Sequence, residues 1–179
     1  GELEPTMDLG YDGTMFILAF DHRGSFRSKM FGIAGEPTAE EHARLEAAKY
    51  LVWDGFKAAI ESGVPADQAG VLVDEEMGAT VAREAREMGI QLAMPVEKSG
   101  QPVFDFEYGD GFGEHIEAFD PTFTKVLVRW NPDDSADTKA LQGERLKRLG
   151  DWLHERDRKY LFELLVPASE RQLELVGGD

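Results

Sequence analysis

The sequence KVLVRWNP, residues 125–132, contains a short apolar run that ends in polar residues. Its aliphatic and β-branched side chains are typical of a buried strand. Four further runs have the same character: FILAF from Phe16, GVLVD from Gly70, QLAMPV from Gln91 and YLFELLV from Tyr160. Strands that are apolar throughout and separated by helices are typical of a parallel sheet covered by helices, either a doubly wound sheet or a barrel.

The segments between these runs have helical character. The clearest helix is predicted to begin at a capping box formed by Thr38 and Glu41 and to end at Gly63. Three more helices are predicted over 79–88, 113–119 and 137–156. The positions predicted to face the core are Leu45, Ala48, Val52, Phe56, Ala59 and Ile60 in the first helix, and Leu141, Leu146, Leu149 and Leu153 in the last. Residues 24–37 are predicted to form an irregular loop after the first strand.

The composition limits the classes of partner. The chain has 179 residues, 35 acidic and 19 basic side chains, and a formal net charge of -16. This charge disfavours nucleic acid and an anionic membrane surface, so a phosphorylated ligand would need a local basic pocket. The chain contains no cysteine and no apolar run of about 20 residues, which predicts a cytoplasmic protein. We expect residues 1–13 to be a linker or the boundary of a longer chain, and residues 14–179 to form one domain.

Polar residues follow the apolar part of every predicted strand. They are Asp21, His22 and Arg23; Asp74, Glu75 and Glu76; Glu97 and Lys98; Arg129 and Asn131; and Glu163. The carboxyl ends of parallel strands meet at one rim, where ligand sites of α/β proteins lie. Strand ends are also where chains commonly become polar, so solvation alone is an alternative explanation.

The alternation of side chains along a strand selects among these residues. If the polar faces point into a barrel, side chains from three strands can meet there: Asp21, Arg23, Lys125, Arg129 and Glu163. Because a charge is costly to bury alone, Lys125 and Glu163 predict either a structural ion pair or a tuned proton donor and acceptor.

Two other kinds of site are possible from the sequence, a histidine general base and a cation site. His22 lies next to Asp21, but adjacent strand residues point to opposite faces, so His22 is predicted to pack outside the site. The carboxylates of Asp74, Glu75 and Glu76, together with Glu97, could hold a divalent cation, although no histidine joins them.

Several of these motifs, in fixed order, resemble a known family. The set FILAFDHRGSF, VLVDEEMGA, PVEKSGQ with FEYG, FTKVLVRWNP and LFELLVPA resembles the aldolase-like domain joined to 5-dehydro-2-deoxygluconokinase in inositol breakdown. That domain is similar to class I tagatose-1,6-bisphosphate and sulfofructosephosphate aldolases. The resemblance covers 16–179 and implies a (β/α)₈ TIM barrel, of which this chain supplies about the first five β/α units.

The resemblance also implies roles for particular residues. Asp21 and Arg23 match the first-strand motif that holds substrate hydroxyls and phosphate. Lys125 matches the lysine of the fourth strand, and Glu163 matches the fifth-strand glutamate used in proton transfer. The predicted catalytic residues are therefore Lys125, Glu163 and Asp21. The predicted substrate-binding residues are Arg23, Arg129, Asn131, Glu97, Lys98, Asp74 and Glu75, with no metal ligand and no cofactor.

The family's Schiff-base lysine lies on the sixth strand, beyond this chain, so we expect this chain alone to be inactive. The leading hypothesis is a class I aldolase-like lyase acting on a phosphorylated keto sugar or keto sugar acid such as 6-phospho-5-dehydro-2-deoxygluconate. A noncatalytic sugar-phosphate binding module attached to a carbohydrate kinase and a metal-dependent lyase are the alternatives. The expected protein partner is either another copy of the chain, in a homo-oligomer, or a fused kinase domain.

Overall fold

The five apolar runs form five strands, and strands that follow one another along the chain lie side by side in parallel. The computed structural model describes residues 10–177, so part of the predicted linker, residues 1–9, lies outside the described residues. The strands are β1 (Phe16–Ala19), β2 (Ala69–Leu72), β3 (Gln91–Pro95), β4 (Phe123–Arg129) and β5 (Lys159–Leu165). The sheet curls into a half-barrel, so the α/β fold with a parallel sheet is confirmed.

Helices connect the strands and cover the outside of the sheet. They are α1 (Ala39–Glu61), α2 (Glu75–Glu87), α3 (Phe112–Phe119), α4 (Ala136–His154) and α5 (Glu170–Val176). The capping box predicted for α1 is present. The Thr38 side chain accepts a hydrogen bond from the main-chain N–H of Glu41, and the Glu41 side chain accepts one from the main-chain N–H of Thr38. The predicted irregular loop contains a short π-helix over Phe26–Met30.

The structure corrects parts of the helix predictions. Val52 and Leu141 are exposed, whereas Lys49 and Gln142 are buried in their place. Helix α2 begins four residues earlier than predicted because the Asp74 side chain accepts a hydrogen bond from the main chain of Met77. Polar side chains thus occupy core positions that an apolar pattern cannot identify.

The core has an outer layer and an inner layer. Outside the sheet, Val71 and Leu92 pack against Trp53 of α1, while Val126 packs against Leu149 of α4. Inside the curl lie Leu72, Ala93 and Phe123, with Met15 and Leu161 packed against them. Because side chains alternate along β4, Lys125 faces the same side as Phe123 and lies one step nearer the carboxyl end. The inner layer is therefore an apolar floor beneath a polar rim.

Both outer strands leave apolar side chains exposed. Among residues 10–177, β1 pairs only with β2 and β5 pairs only with β4. Phe16 on β1 is 64% exposed and Phe162 on β5 is 47% exposed. The same described part of the chain has no helix that combines the length and apolar character needed to span a membrane.

Candidate functional site

A cavity of about 580 Å³ lies at the carboxyl ends of the strands. A larger groove of about 700 Å³ runs along α3 and α4, but its charges are largely paired with one another, as in Arg148 with Asp110 and Arg156 with Glu117. Ligand sites of parallel α/β sheets lie at the carboxyl ends of the strands. We therefore place the candidate site in the cavity at the rim.

Lys125 lies at the centre of this site. Its ammonium donates hydrogen bonds to Asp21 Oδ2 at 2.8 Å and Glu97 Oε1 at 3.0 Å, and it lies 3.4 Å from Glu163 Oε2. Lys125 is 4% exposed, whereas the side chain of Glu163 is 52% exposed. The predicted meeting of Asp21, Lys125 and Glu163 is thus present, and Glu163 is the carboxylate of the three that solvent or a ligand reaches most easily.

Glu97 joins Lys125 to a second buried cation. Arg23 Nη2 lies 3.0 Å from Glu97 Oε1, and Arg23 Nη1 donates to the Glu97 carbonyl oxygen at 2.6 Å. The same guanidinium donates through Nε to the carbonyl oxygen of Asp21 at 3.3 Å. Within the described residues, the buried Glu97 Oε2 accepts no hydrogen bond. One carboxylate therefore bridges two cations and keeps one oxygen unused.

Burial and the neighbouring charges shift the pKa values of Glu97 and Lys125. Burial raises the pKa of Glu97, and the nearby Lys125 and Arg23 only partly oppose this effect. Burial by itself lowers the pKa of Lys125, but the Glu97 and Asp21 carboxylates outweigh it, so the net pKa of Lys125 is raised. Lys125 is thus an ammonium at neutral pH and donates protons in hydrogen bonds.

Basic side chains border the same cavity. Arg129 donates from Nη1 to the carbonyl oxygen of Gln101 at 2.9 Å, and Arg27 pairs with Glu76. Lys29 and Lys98 also line the cavity and are exposed. These four basic side chains form one wall of the cavity in an acidic protein, the local arrangement that a phosphorylated ligand would need.

Three predicted binding residues do not line the cavity. Asn131 donates to the carbonyl oxygen of Pro167 at 2.7 Å and so links the end of β4 to the segment before α5. Asp74 pairs with Lys49 at 2.9 Å, and Glu75 pairs with His115 at 2.8 Å. Each of the three has a structural partner elsewhere.

The carboxylates considered as an alternative cation site are not brought together. Among residues 10–177, no three histidine or acidic side chains are grouped so that they could hold a metal ion. Asp74, Glu75 and Glu97 each have different side-chain partners. His22 is exposed and borders the cavity, contrary to the prediction that it packs outside.

Lys49 and Glu107 are the neighbours of this site that the sequence analysis missed. Glu107 Oε2 lies 3.6 Å from Arg23 Nη1. The chain turns back after Glu97, and an isolated antiparallel bridge between Glu97 and Phe106 returns it to the rim. No signal in the local sequence indicates this return. Lys49 has a signal, because it lies four residues after Leu45 and four before Trp53 on the buried face of α1.

A comparison with protein families identifies the group to which the chain belongs. The model of the family described as "Uncharacterized protein conserved in bacteria (DUF2090)" matches residues 7–176. A search of curated proteins gives no match. Because the family match covers nearly the whole of the 179 residues, this chain is a member of the DUF2090 family.

Proposed function

We propose that this chain carries the binding and proton-transfer residues of a class I aldolase-like carbon–carbon lyase. The substrate would be a phosphorylated keto sugar or keto sugar acid in the cytoplasm, such as 6-phospho-5-dehydro-2-deoxygluconate. The observation that carries the proposal is the Lys125 ammonium, buried within 3.4 Å of three carboxylates beside a basic wall at the rim of a parallel sheet. The ordered motifs that resemble those aldolases support it.

The accessible carboxylate suits the role of a base. In aldol cleavage, a base removes the proton of the hydroxyl next to the breaking carbon–carbon bond, and the electron pair of that bond moves toward an iminium nitrogen. Glu163 is half exposed in the cavity and lies next to Lys125, so it can accept this proton. Lys125 can donate a hydrogen bond to a substrate oxygen, while Asp21 and Glu97 hold its ammonium in place.

The raised pKa of Lys125 argues against this residue as the nucleophile. An amine must lose its proton before it can attack a ketone, and Lys125 retains its proton because Glu97 and Asp21 stabilise the ammonium. In the aldolases that the chain resembles, the iminium-forming lysine lies on the sixth strand. The five strands described here would then supply the proton-transfer half of the site, as the first five units of a (β/α)₈ barrel.

The exposed cations suit the phosphate of the substrate. Lys98, Lys29 and Arg129 border the cavity, and the Arg129 guanidinium makes a single hydrogen bond to a carbonyl oxygen at 2.9 Å. Arginine and lysine both bind phosphate through charge-assisted hydrogen bonds. A substrate with its ketose end near Lys125 would thus place its phosphate toward this wall.

Borohydride trapping tests the mechanism in the full-length protein. The protein is incubated with the phosphorylated keto sugar acid, reduced, digested and analysed by mass spectrometry, with a sample reduced without substrate as control. We expect a substrate-dependent adduct on a lysine other than Lys125. An adduct on no lysine would exclude the Schiff-base mechanism, and an adduct on Lys125 would contradict its role as an ammonium.

A noncatalytic sugar-phosphate binding module is the second candidate. The raised pKa of Lys125 favours it, because the buried amine of this site is suited to binding and not to attack. This module would support a neighbouring kinase domain or assemble as a homo-oligomer. Ligand binding in calorimetry, together with neither adduct nor cleavage in the full-length protein, would favour the module.

A further inference from the structure

Lys49 lies beneath the candidate site and outside the cavity. This residue projects from the middle of α1, is 1% exposed, and belongs to a helix face otherwise formed by Leu45, Trp53 and Phe56. A buried ammonium needs an acceptor for each of its three protons, since it cannot obtain them from water. Its partners therefore show what it holds in place.

All three partners lie at the ends of β1 and β2. Lys49 Nζ donates to the carbonyl oxygens of Phe20 and His22, the latter at 2.8 Å, and lies 2.9 Å from Asp74 Oδ1. The other carboxylate oxygen of Asp74 accepts the hydrogen bond that begins α2. The ammonium also lies 4.7 Å from the ring centre of Phe26, in the π-helix after β1. One side chain thus joins the ends of two strands to two helices and the π-helix.

The two carbonyl groups that Lys49 binds flank Asp21. With the main chain held on both sides of this residue, the Asp21 side chain reaches Lys125 on the cavity side at 2.8 Å. The next residue after His22 is Arg23, which binds Glu97. After β1 finishes at Ala19, the N–H of Phe20 still donates to the carbonyl oxygen of Leu72 at 2.8 Å, and Lys49 binds the main chain on both sides of the next residue, Asp21.

We infer that Lys49 is a positioning residue that fixes the main chain around Asp21 and Arg23 and so sets the geometry of the Lys125 cluster. The inference rests on these contacts alone and holds for any ligand that the cavity binds. Loss of Lys49 would let the segment 20–23 move, and Asp21 would separate from Lys125. The ammonium of Lys125 would then lose one of the two carboxylates that stabilise it most.

The test uses the titration of Lys125 as its readout, because a purely structural lysine would leave this titration unchanged in the folded protein. The double variant Lys49→Met/Asp74→Asn removes both members of the buried pair and keeps an acceptor for the start of α2. Lysine side chains are labelled with ¹³C, and the Lys125 signal, identified by its loss in Lys125→Arg, is followed through an alkaline titration. We expect the pKa of Lys125 to fall by about one pH unit.

Lys57→Met is the matched control on the same helix. Lys57 pairs with Asp54 at 3.0 Å on the outer surface, so its loss should leave the Lys125 titration as in the wild type. Lys49→Arg is the second variant, in case the double variant does not fold. It keeps the charge beside Asp74, but a guanidinium cannot direct three bonds from one atom, so the Lys125 pKa should again fall. A wild-type Lys125 titration in either folded Lys49 variant would overturn the inference.

Discussion

Two buried lysines, Lys49 and Lys125, lie on opposite sides of the strand ends and differ in how their charge is balanced. Lys49 donates hydrogen bonds to two carbonyl groups and has a single carboxylate, Asp74, as its ion-pair partner at 2.9 Å. Lys125 has three carboxylates within 3.4 Å and opens onto a cavity. Both are 4% exposed or less.

The difference distinguishes Lys49, whose charge has a structural role, from Lys125, whose surroundings can bind a ligand. Lys49 has one carboxylate for its one charge and lies outside the cavity, so a ligand in the cavity does not contact it. Around Lys125 the carboxylates outnumber the ammonium even when Arg23 is counted as a partner of Glu97, and Glu97 Oε2 is unused among the described residues. Excess acceptors at the wall of a cavity favour a ligand with hydroxyl donors, such as a sugar.

The largest expected effect is the loss of stability in Lys49→Met. This change leaves Asp74 as a buried charge without a partner and two carbonyl oxygens without a donor, so we expect the free energy of unfolding to fall by about 3–5 kcal/mol. Urea denaturation measures it. The double variant Lys49→Met/Asp74→Asn should recover a large part of the loss, whereas an equal loss in both variants would contradict the pairing.

A smaller loss of stability is expected in Lys125→Met. The carboxylates of Asp21 and Glu97 would repel one another, but they border a cavity that water can enter, so we expect about 1–3 kcal/mol at neutral pH. The loss should shrink as the pH falls and the carboxylates take up protons. Denaturation at neutral and acidic pH checks this, with Lys98→Met as the exposed control on the same cavity.

The third prediction concerns the pH dependence of Glu97→Gln. Because the folded-state pKa of Glu97 is raised above its ordinary 4.5, ionisation of this group costs stability as the pH rises above 4.5. Glutamine does not ionise, so the stability of Glu97→Gln relative to the wild type should improve between acidic and neutral pH. Glu107→Gln is the control, because it changes a partly exposed carboxylate that also lies beside Arg23. A difference between Glu97→Gln and the wild type that does not change with pH would contradict the burial effect.

The smallest effect on stability is expected at the basic wall. Arg129 is partly exposed and makes a hydrogen bond to one carbonyl oxygen, so Arg129→Met should change the free energy of unfolding by less than about 1 kcal/mol. The same change should weaken the binding of inorganic phosphate in calorimetry. Arg148→Met is a control that removes an arginine outside the cavity. Equal phosphate affinity in the wild type and Arg129→Met would remove Arg129 from the phosphate site.

The strands and the central cluster could be predicted because their signals are local and periodic. Apolar runs indicated all five strands, and the alternation along β4 placed Lys125 on the same face as Arg129, which also lines the cavity. Since parallel strands end at one rim, Asp21 and Glu163 followed from the same geometry.

The predicted binding residues that lie outside the cavity have partners far away in the sequence. The partner of Asp74 is Lys49 in α1, and the side chain of Asn131 binds Pro167 beyond β5. Nothing near Asp74 or Asn131 distinguishes a polar residue that binds a helix end from one that faces a cavity. Lys49 was missed because a charged residue on an apolar helix face was assigned no partner, although that position itself indicates a buried ion pair.

Calorimetry with a phosphorylated ketose tests the central claim most directly. Tagatose 1,6-bisphosphate is titrated into the wild type, Lys125→Met and the Lys57→Met control at neutral pH. We predict binding by the wild type and by Lys57→Met, and an affinity at least about tenfold lower in Lys125→Met, a difference of about 1.4 kcal/mol. Equal affinity in all three proteins, or binding by none of them, would contradict the assignment of the Lys125 cluster as a sugar-phosphate site.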